Sequence, residues 1–365
     1  MNNKIKIYIF HPYSMLGGAD TSLSRLINNL DKNRYEIDFI TLKKNNLKLN
    51  KKSKVKIIKI NSSRTIFSIL KIRKILKKDK DKVFKKYIFL SNQNFANIIS
   101  FFITIKLRWI KLCLIERNHL DEFKYNKNLK NFIIKLLIKI LYKYADRVIG
   151  ISKKLSLDLK KFTKSNVETI YNPAIDKGIY KLSKKNIFLK KNKKNILNVA
   201  RLEKQKDHIT LLRGFKESLK KNDSILIIIG YGSEKKKILK FIEENYLKKK
   251  VRILDKVSNP YPYYRKADLF VLTSLYEGFG NVLTEAAMFK IPIISTDCNA
   301  GPREILMNGK GGDLIKVYDF KGLSQKIISN LNFKDFEKIK IAKKNLKRFL
   351  LIKNVNSFEK IFKEI

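Results

Sequence analysis

Short apolar segments alternate with helical patterns along most of the chain. Residues 4–10 and 35–42 have the strand pattern, whereas 19–30 repeats apolar residues at the spacing of an amphipathic helix. This alternation predicts parallel sheets covered by helices on both faces. The predicted strands are 4–10, 35–42, 55–60, 87–90, 112–115 and 147–150 in the first half, and 195–200, 224–230, 251–254, 268–273 and 291–296 in the second.

The alternation pauses once, at 171–186, where proline, glycine and charged residues cluster. It restarts with the strand predicted at 195–200. We therefore predict an α/β protein with two domains in tandem, residues 1–178 and 179–335, followed by C-terminal helices at 336–365.

The charge of the chain is strongly one-sided. Lysine and arginine number 81 against 32 acidic residues, which gives a formal net charge of +49. Such a field attracts nucleic acids or anionic membrane surfaces. The basic residues are spread through periodic segments, and the chain lacks a nucleic-acid fold signature, so we expect no specific nucleic-acid partner.

Two basic helices are predicted in the first half, at 66–78 and 132–144, with lysines recurring every three or four residues. Each is either a core helix with one solvated face or an interfacial helix on anionic lipid. The most apolar stretch, 98–115, is interrupted by three cations and is not expected to span a bilayer. We expect a cytoplasmic protein, peripheral on the inner face of the plasma membrane. Cys113 and Cys298 lie far apart, which predicts neither a disulfide framework nor a zinc site.

The segment 264–306 is the richest in candidate chemistry. A predicted buried strand ends at Thr273 and is followed by the turn E-G-F-G at 277–280 and by a helix that begins near Asn281. Free backbone amides at such a turn and helix start can hold an anion or a hydroxyl group. Glu277 and Glu285 are placed to line one cleft at the carboxyl ends of the strands.

The motif E-G-F-G-N-V-L-T-E, followed by a strand and G-P-R-E-I-L, resembles the donor site of family-4 retaining glycosyltransferases. The resemblance implies the GT-B fold, in which two Rossmann-like doubly wound domains face a central cleft, and a last helix that returns to the first domain. It implies that Glu277 binds the donor sugar and Glu285 the ribose. Gly278, Phe279, Gly280 and Asn281 would hold the sugar and the β-phosphate through their backbone.

Two further segments of the second half resemble the same family. In N-V-A-R-L-E-K-Q-K-D, at 198–207, the resemblance implies that Arg201 and Lys206 clamp the donor diphosphate, where fixed cations stabilise the charge of the leaving group. Ala200 stands where the family usually has glycine. In I-I-G-Y-G-S-E, at 228–234, Gly232 would lie near the nucleoside.

The first half contributes the remaining candidates. Gly17 and Gly18 resemble the family's glycine loop at a helix start, which closes over donor phosphate and acceptor. His119 is a candidate for a histidine near the reacting sugar, with a structural role as the alternative. Glu116 and Arg117 are candidate acceptor-side groups.

The resemblance implies a hexosyltransferase that moves a hexose or N-acetylhexosamine from a nucleotide-diphosphate sugar. The expected donor is UDP-linked, with GDP-mannose as an alternative. The expected acceptor is a saccharide or a polyprenyl-diphosphate-linked glycan in bacterial surface glycan synthesis. We expect no metal and no other cofactor. The competing interpretations are a non-enzymatic binder of anionic polymers with a degenerate donor site, and a dehydrogenase, which lacks its G-x-G-x-x-G after the first strand.

Overall fold

The chain divides into two compact units, Met1–Pro173 with Leu351–Ile365, and Ala174–Leu350. The division lies five residues before the predicted boundary at 178. Of the predicted C-terminal segment, 336–350 belongs to the second unit and 351–365 to the first. The computed structural model describes residues 2–14, 17–43, 47–50, 53–80, 82, 84–176, 178–187, 189, 193–255 and 257–365.

The first unit is built on a parallel sheet. Among its described residues the sheet has seven strands in the order β3-β2-β1-β4-β5-β6-β7. The strands are β1 (Asn2–Phe10), β2 (Tyr35–Thr41), β3 (Lys56–Lys59), β4 (Phe84–Asn92), β5 (Ile110–Glu116), β6 (Arg147–Gly150) and β7 (Val167–Thr169). The helices are α1 (Gly18–Asn29), α2 (Ile69–Lys78), α3 (Asn94–Thr104), α4 (Glu122–Tyr125), α5 (Leu129–Leu141), α6 (Lys153–Thr163) and, from the end of the chain, α15 (Leu351–Glu364).

The second unit repeats this architecture. Its described part contains a parallel sheet of six strands in the order β10-β9-β8-β11-β12-β13. The strands are β8 (Lys194–Val199), β9 (Ser224–Ile229), β10 (Val251–Leu254), β11 (Leu269–Leu272), β12 (Ile293–Thr296) and β13 (Asp313–Ile315). The helices are α7 (Gly178–Leu182), α8 (His208–Ser218), α9 (Lys235–Glu244), α10 (Tyr261–Lys266), α11 (Asn281–Met288), α12 (Pro302–Ile305), α13 (Phe320–Asn332) and α14 (Phe336–Asn345).

The central strands are apolar on both faces because helices cover both sides of each sheet. Successive side chains of a strand point to opposite faces, and Ile7, Tyr8, Ile9 and Phe10 of β1 are all buried. β1 pairs in parallel with β2 and with β4. Continuous burial of this kind is typical of parallel strands. The predicted parallel sheets are therefore confirmed.

The strand order reverses between β1 and β4 in the first unit and between β8 and β11 in the second. Open α/β sheets bind ligands outside the carboxyl ends of their strands at this switch point. The residues that follow β8 and β11 are thereby placed in the ligand-binding position of the second sheet.

The two basic helices predicted at 66–78 and 132–144 are present as α2 and α5, each joined to a short 3₁₀ turn, at Thr65–Ser68 and Tyr142–Tyr144. Within the described ranges, no helix is long and apolar enough to cross a bilayer.

Candidate active site

The loop after β8 and the loop after β11 are joined by hydrogen bonds in the second unit. The Thr273 hydroxyl donates to the carbonyl of Lys206 over 3.0 Å. The Gln205 side-chain amide donates to the carbonyl of Tyr276 over 2.8 Å, and the main-chain carbonyl of Gln205 accepts from the amide of Leu275 over 2.8 Å. These contacts fix the two switch-point loops against each other.

Lys206 and Glu277 form an ion pair at this junction. Lys206 Nζ lies 2.5 Å from Glu277 Oε1, and the two side chains are only 14% and 9% exposed. The same oxygen accepts from the Ser274 hydroxyl over 2.7 Å. An ion pair shielded from water is screened little by salt. Because Lys206 and the Ser274 hydroxyl both contact Oε1, the Glu277 carboxylate is held in one orientation beside a cation.

The glycine turn that follows Glu277 has a backbone that other residues adopt poorly. Gly280 precedes α11 with φ of +97°. Gly301 has φ of +83°, and a Cβ on it would lie 2.0 Å from the carbonyl oxygen of Phe279. The Phe279 ring is buried and packs edge-on against Phe349 with centroids 5.0 Å apart. Phe279 thus anchors the turn through its ring, so any part in ligand binding falls to its backbone.

Glu285 is buried in α11, five positions into the helix. The Tyr261 hydroxyl donates to Glu285 Oε1 over 3.4 Å. Burial, together with the nearby Glu285 carboxylate, raises the pKa of the Tyr264 hydroxyl well above its ordinary value. The glutamate is thus set among tyrosines of α10.

A second glycine turn lies beside the loop after β8. A Cβ on Gly230 would lie 1.8 Å from the Ala200 carbonyl oxygen, and one on Gly232 would lie 2.3 Å from that of Leu202. These distances exclude any side chain at either position without backbone movement. Arg201 lies in the loop against which this turn packs, and its guanidinium is 3.5 Å from the Gln205 side chain.

The predicted second-unit residues therefore fall around one end of one sheet. Lys206 and Glu277 are in direct contact, and Arg201 belongs to the same hydrogen-bonded loop. Glu285 lies on α11, the helix that begins after the Gly278–Gly280 turn. Their role in binding a donor stays a prediction.

In the first unit, the glycine turn at Gly17 and Gly18 leads into α1, as predicted. Asp20 holds it in place: its carboxylate accepts from the Ser14 hydroxyl over 3.0 Å and from the Gly17 amide over 3.4 Å. His11, fully buried, lies 2.8 Å from the other Asp20 oxygen.

Glu116 and Arg117 are buried inside the first unit, and their acceptor-side role stays a prediction. Glu116 accepts from the Tyr142 hydroxyl over 2.7 Å, and burial raises its pKa to about 7. Arg117 donates to the side chains of Asn92 and Asn172, and burial lowers its pKa to about 10. Both groups hold neighbouring loops together.

His119 has partners on both ring nitrogens. Nε2 lies 2.8 Å from the Asp158 carboxylate, and Nδ1 accepts from the Asp121 amide over 3.2 Å. The ring is almost fully buried. This geometry favours the structural alternative over the predicted catalytic role.

Several residues of these networks were missed from the sequence. Ser274 lies three residues before Glu277, a spacing that could have marked it as a partner. Asn92 and Asn172 are 25 and 55 residues from Arg117, so no local pattern links them. Within the part of the chain that the structure describes, no cluster of three or more histidine, cysteine or acidic side chains could hold a metal ion.

Two comparisons identify the family. Residues 180–348 match the family model described as glycosyl transferases group 1. The N-acetylgalactosamine-N,N'-diacetylbacillosaminyl-diphospho-undecaprenol 4-alpha-N-acetylgalactosaminyltransferase of Campylobacter jejuni is 31% identical, over 73% of this chain and 76% of its own length. The chain belongs to the group 1 glycosyltransferases. This assignment excludes the dehydrogenase and favours the enzyme over the non-enzymatic polymer binder.

The fold of this glycosyltransferase is shared with solved structures of the same kind. A glycosyltransferase from Rickettsia africae aligns with a TM-score of 0.81 at 19% identity, covering 99% of this chain and 98% of its own. Anabaena Alr3699/HepE, solved with UDP and glucose, aligns with a TM-score of 0.80 at 16% identity, covering 99% and 100%. The predicted GT-B fold class is confirmed.

Proposed function

We propose that this glycosyltransferase transfers a hexose or N-acetylhexosamine from a UDP-linked donor, with retention of the anomeric configuration. The proposed acceptor is a saccharide or a polyprenyl-diphosphate-linked glycan of bacterial surface glycan synthesis. The observation that carries the proposal is the Lys206–Glu277 pair, at 2.5 Å, at the switch point of the family-matched unit. The acceptor is supported by the name of the Campylobacter jejuni relative, which specifies a diphospho-undecaprenol.

The pair gives each charge a separate task when a donor binds. Lys206, with Arg201 in the same loop, would face the donor diphosphate, whose negative charge grows as the sugar leaves. Glu277 would accept hydrogen bonds from sugar hydroxyls. Before a donor arrives, the two side chains satisfy each other, which limits the cost of keeping both charges shielded from water.

In the proposed reaction, the acceptor hydroxyl attacks the anomeric carbon on the face from which the diphosphate departs. A bond forms between the acceptor oxygen and the anomeric carbon, and the bond from that carbon to the phosphate oxygen breaks. The departing phosphate oxygen takes the acceptor's proton. Since Arg201, Lys206 and the start of α11 carry the charge stabilisation, the proposal requires no metal ion.

A donor panel tests the proposal. The protein is incubated with UDP-glucose, UDP-galactose, their two N-acetylhexosamine counterparts and GDP-mannose, together with a synthetic polyprenyl-diphosphate glycan. Mass spectrometry detects transfer, and NMR assigns the new anomeric linkage. We expect transfer from one UDP-sugar with retention, unaffected by EDTA.

Glu277→Gln is the test variant, and Glu217→Gln is its control, because Glu217 also pairs with a lysine but on an exposed helix surface. We expect the first to lose transfer and the second to keep it. Full transfer by Glu277→Gln contradicts the site assignment. Binding of UDP without transfer from any donor favours the non-enzymatic alternative.

We further propose that the enzyme works at the anionic inner surface of the plasma membrane. The net charge of +49 supports this placement, because cations near such a surface are attracted to its acidic lipids.

A further inference from the structure

Helix α5 has an apolar face that the described residues of the first unit leave exposed. Its buried side packs on the core through Ile134, Ile138 and Leu141. The opposite side is also apolar, with Leu129 74% and Phe132 67% exposed. At three- and four-residue spacing, five side chains share this face: Leu129, Phe132, Ile133, Leu136 and Ile140. A solvated helix face of a globular protein is ordinarily polar, so an exposed apolar face of this size indicates an interaction surface.

The neighbouring helices extend the exposed apolar surface. α3 packs against both α5 and α2. Phe102 and Ile105, at the end of α3, are exposed, as are Phe67 and Leu70 at the start of α2. The Arg73 guanidinium donates to the carbonyls of Phe102 and Ile105 over 3.1 and 2.9 Å, which ties α2 to the end of α3. We call the α5 face and these four exposed side chains the apolar-basic surface.

The chain segments that carry these apolar side chains are rich in cations and contain no acidic residue. The segments 64–78, 93–111 and 126–145 together contain fourteen lysines and arginines and not one aspartate or glutamate. At 100° per residue, Lys135 and Lys139 lie at one border of the exposed α5 face, and Lys130 lies at the other. Apolar side chains flanked by lysines fit the headgroup boundary of an anionic bilayer.

The charge pattern also argues against a protein occupant. The cores of protein interfaces are depleted in lysine. In a symmetric dimer formed through this surface, the same lysines would face one another, and like charges repel. An anionic lipid bilayer supplies an apolar layer for the exposed apolar side chains and negative charge for the lysines.

We infer that the apolar-basic surface is the membrane contact of this protein, with α5 lying in the plane of an anionic bilayer. Leu129, Phe132 and Leu136 enter the acyl boundary, and Lys130, Lys135 and Lys139 meet the phosphates. The inference names the surface behind the membrane placement proposed above, and it does not depend on the transfer reaction.

Vesicle flotation of the full chain tests the inference. Vesicles are made of phosphatidylcholine alone and of phosphatidylcholine with phosphatidylglycerol. We expect binding to the anionic vesicles that weakens with salt. Lys130, Lys135 and Lys139 changed together to glutamine should lower the partition coefficient roughly a hundredfold, at about fivefold per lysine. Phe132→Gln with Leu136→Gln should lower it roughly tenfold or more.

Matched controls lie in the second unit. Lys236, Lys237 and Lys240 on α9, changed together to glutamine, remove the same charge. Phe336→Gln with Leu239→Gln matches the apolar variant, because Phe336 is 73% and Leu239 45% exposed, against 67% for Phe132 and 46% for Leu136. Circular dichroism and thermal melting check that each variant is folded. We expect both controls to bind as the unchanged protein does.

Three outcomes overturn the inference. One is the absence of wild-type binding to anionic vesicles. Another is equal loss of binding in the test and control variants, which would trace attachment to net charge alone. The third is a dimer in sedimentation that Phe132→Gln with Leu136→Gln dissociates, which would assign the surface to a second copy. Because flotation uses no nucleotide-sugar, its failure is separate from failure of the donor test.

Discussion

Replacing Lys206 with methionine removes the cation that faces Glu277 and keeps a side chain of similar length. In the native protein the two charged atoms are 2.5 Å apart, and the side chains are 14% and 9% exposed. The variant leaves the Glu277 carboxylate shielded from water with the Ser274 hydroxyl at 2.7 Å. Breaking a fully buried pair costs about 3–5 kcal/mol, because an uncompensated charge remains.

The residual exposure of both side chains lowers that cost, so we expect a loss of about 2 kcal/mol in the free energy of unfolding. For a unit of the size of Ala174–Leu350, this corresponds to a fall in Tm of roughly 4–8 °C. Adding Glu277→Gln removes the stranded charge, so the double variant should regain roughly half of the loss. Transfer should fall by about 10²–10³ in kcat in the single and the double variant alike.

Differential scanning fluorimetry gives the Tm, and a saturating-donor transfer assay gives kcat. Lys220→Met is the control, since Lys220 pairs with Glu217 on an exposed surface. It should change neither quantity appreciably. The reasoning is refuted if Lys206→Met keeps the native Tm, or if the double variant is as unstable as the two single losses added together.

Three other changes test different parts of the protein. Gly230→Ala places a Cβ 1.8 Å from the Ala200 carbonyl oxygen, so it should lower stability by about 1–3 kcal/mol in urea unfolding, and an unchanged midpoint would contradict the close approach. Glu116 has its pKa raised to about 7 from 4.5, so its stabilising effect is full below pH 4.5 and is lost as the pH rises through 7. The free energy of unfolding should thus fall by about 3 kcal/mol between pH 4.5 and 7, and Glu116→Gln should remove this fall, which gives a flatter plot of Tm against pH. An unchanged slope would contradict the raised pKa of Glu116. His119→Gln should lower Tm but leave kcat per folded molecule unchanged, whereas a large fall in kcat would support the catalytic role over the structural one.

The sequence predicted most strands but missed β7 and β13. The missed strands are three residues long, V-E-T and D-L-I, and both lie at the edge of a sheet. Short edge strands show little alternation and little apolar continuity, so periodicity does not mark them. The longer central strands were evident because burial on both faces requires an unbroken apolar run.

In the second unit, candidate residues could be chosen because they follow strands whose carboxyl ends share one edge of the sheet. That argument selected Glu277 and Glu285, whereas Lys206 came from the family resemblance, and the structure brings Lys206 into contact with Glu277. It did not reveal which polar groups of the first unit point inward. Arg117 is buried against Asn92 and Asn172, a pairing that depends on the tertiary fold and has no spacing in a single sequence.

Helix α15 completes the first unit although the ribosome makes it after the whole of Ala174–Leu350. Its Phe362 ring packs edge-on against Tyr35 with centroids 6.0 Å apart, and Glu359 accepts from the amide of Asp31 over 3.1 Å. Until α15 is synthesised, the Tyr35 ring and the part of α1 that α15 contacts stay open to water. The first unit is therefore translated first but completed last. The surface that α15 later covers is exposed on the nascent chain, where a chaperone that shields nascent chains would bind.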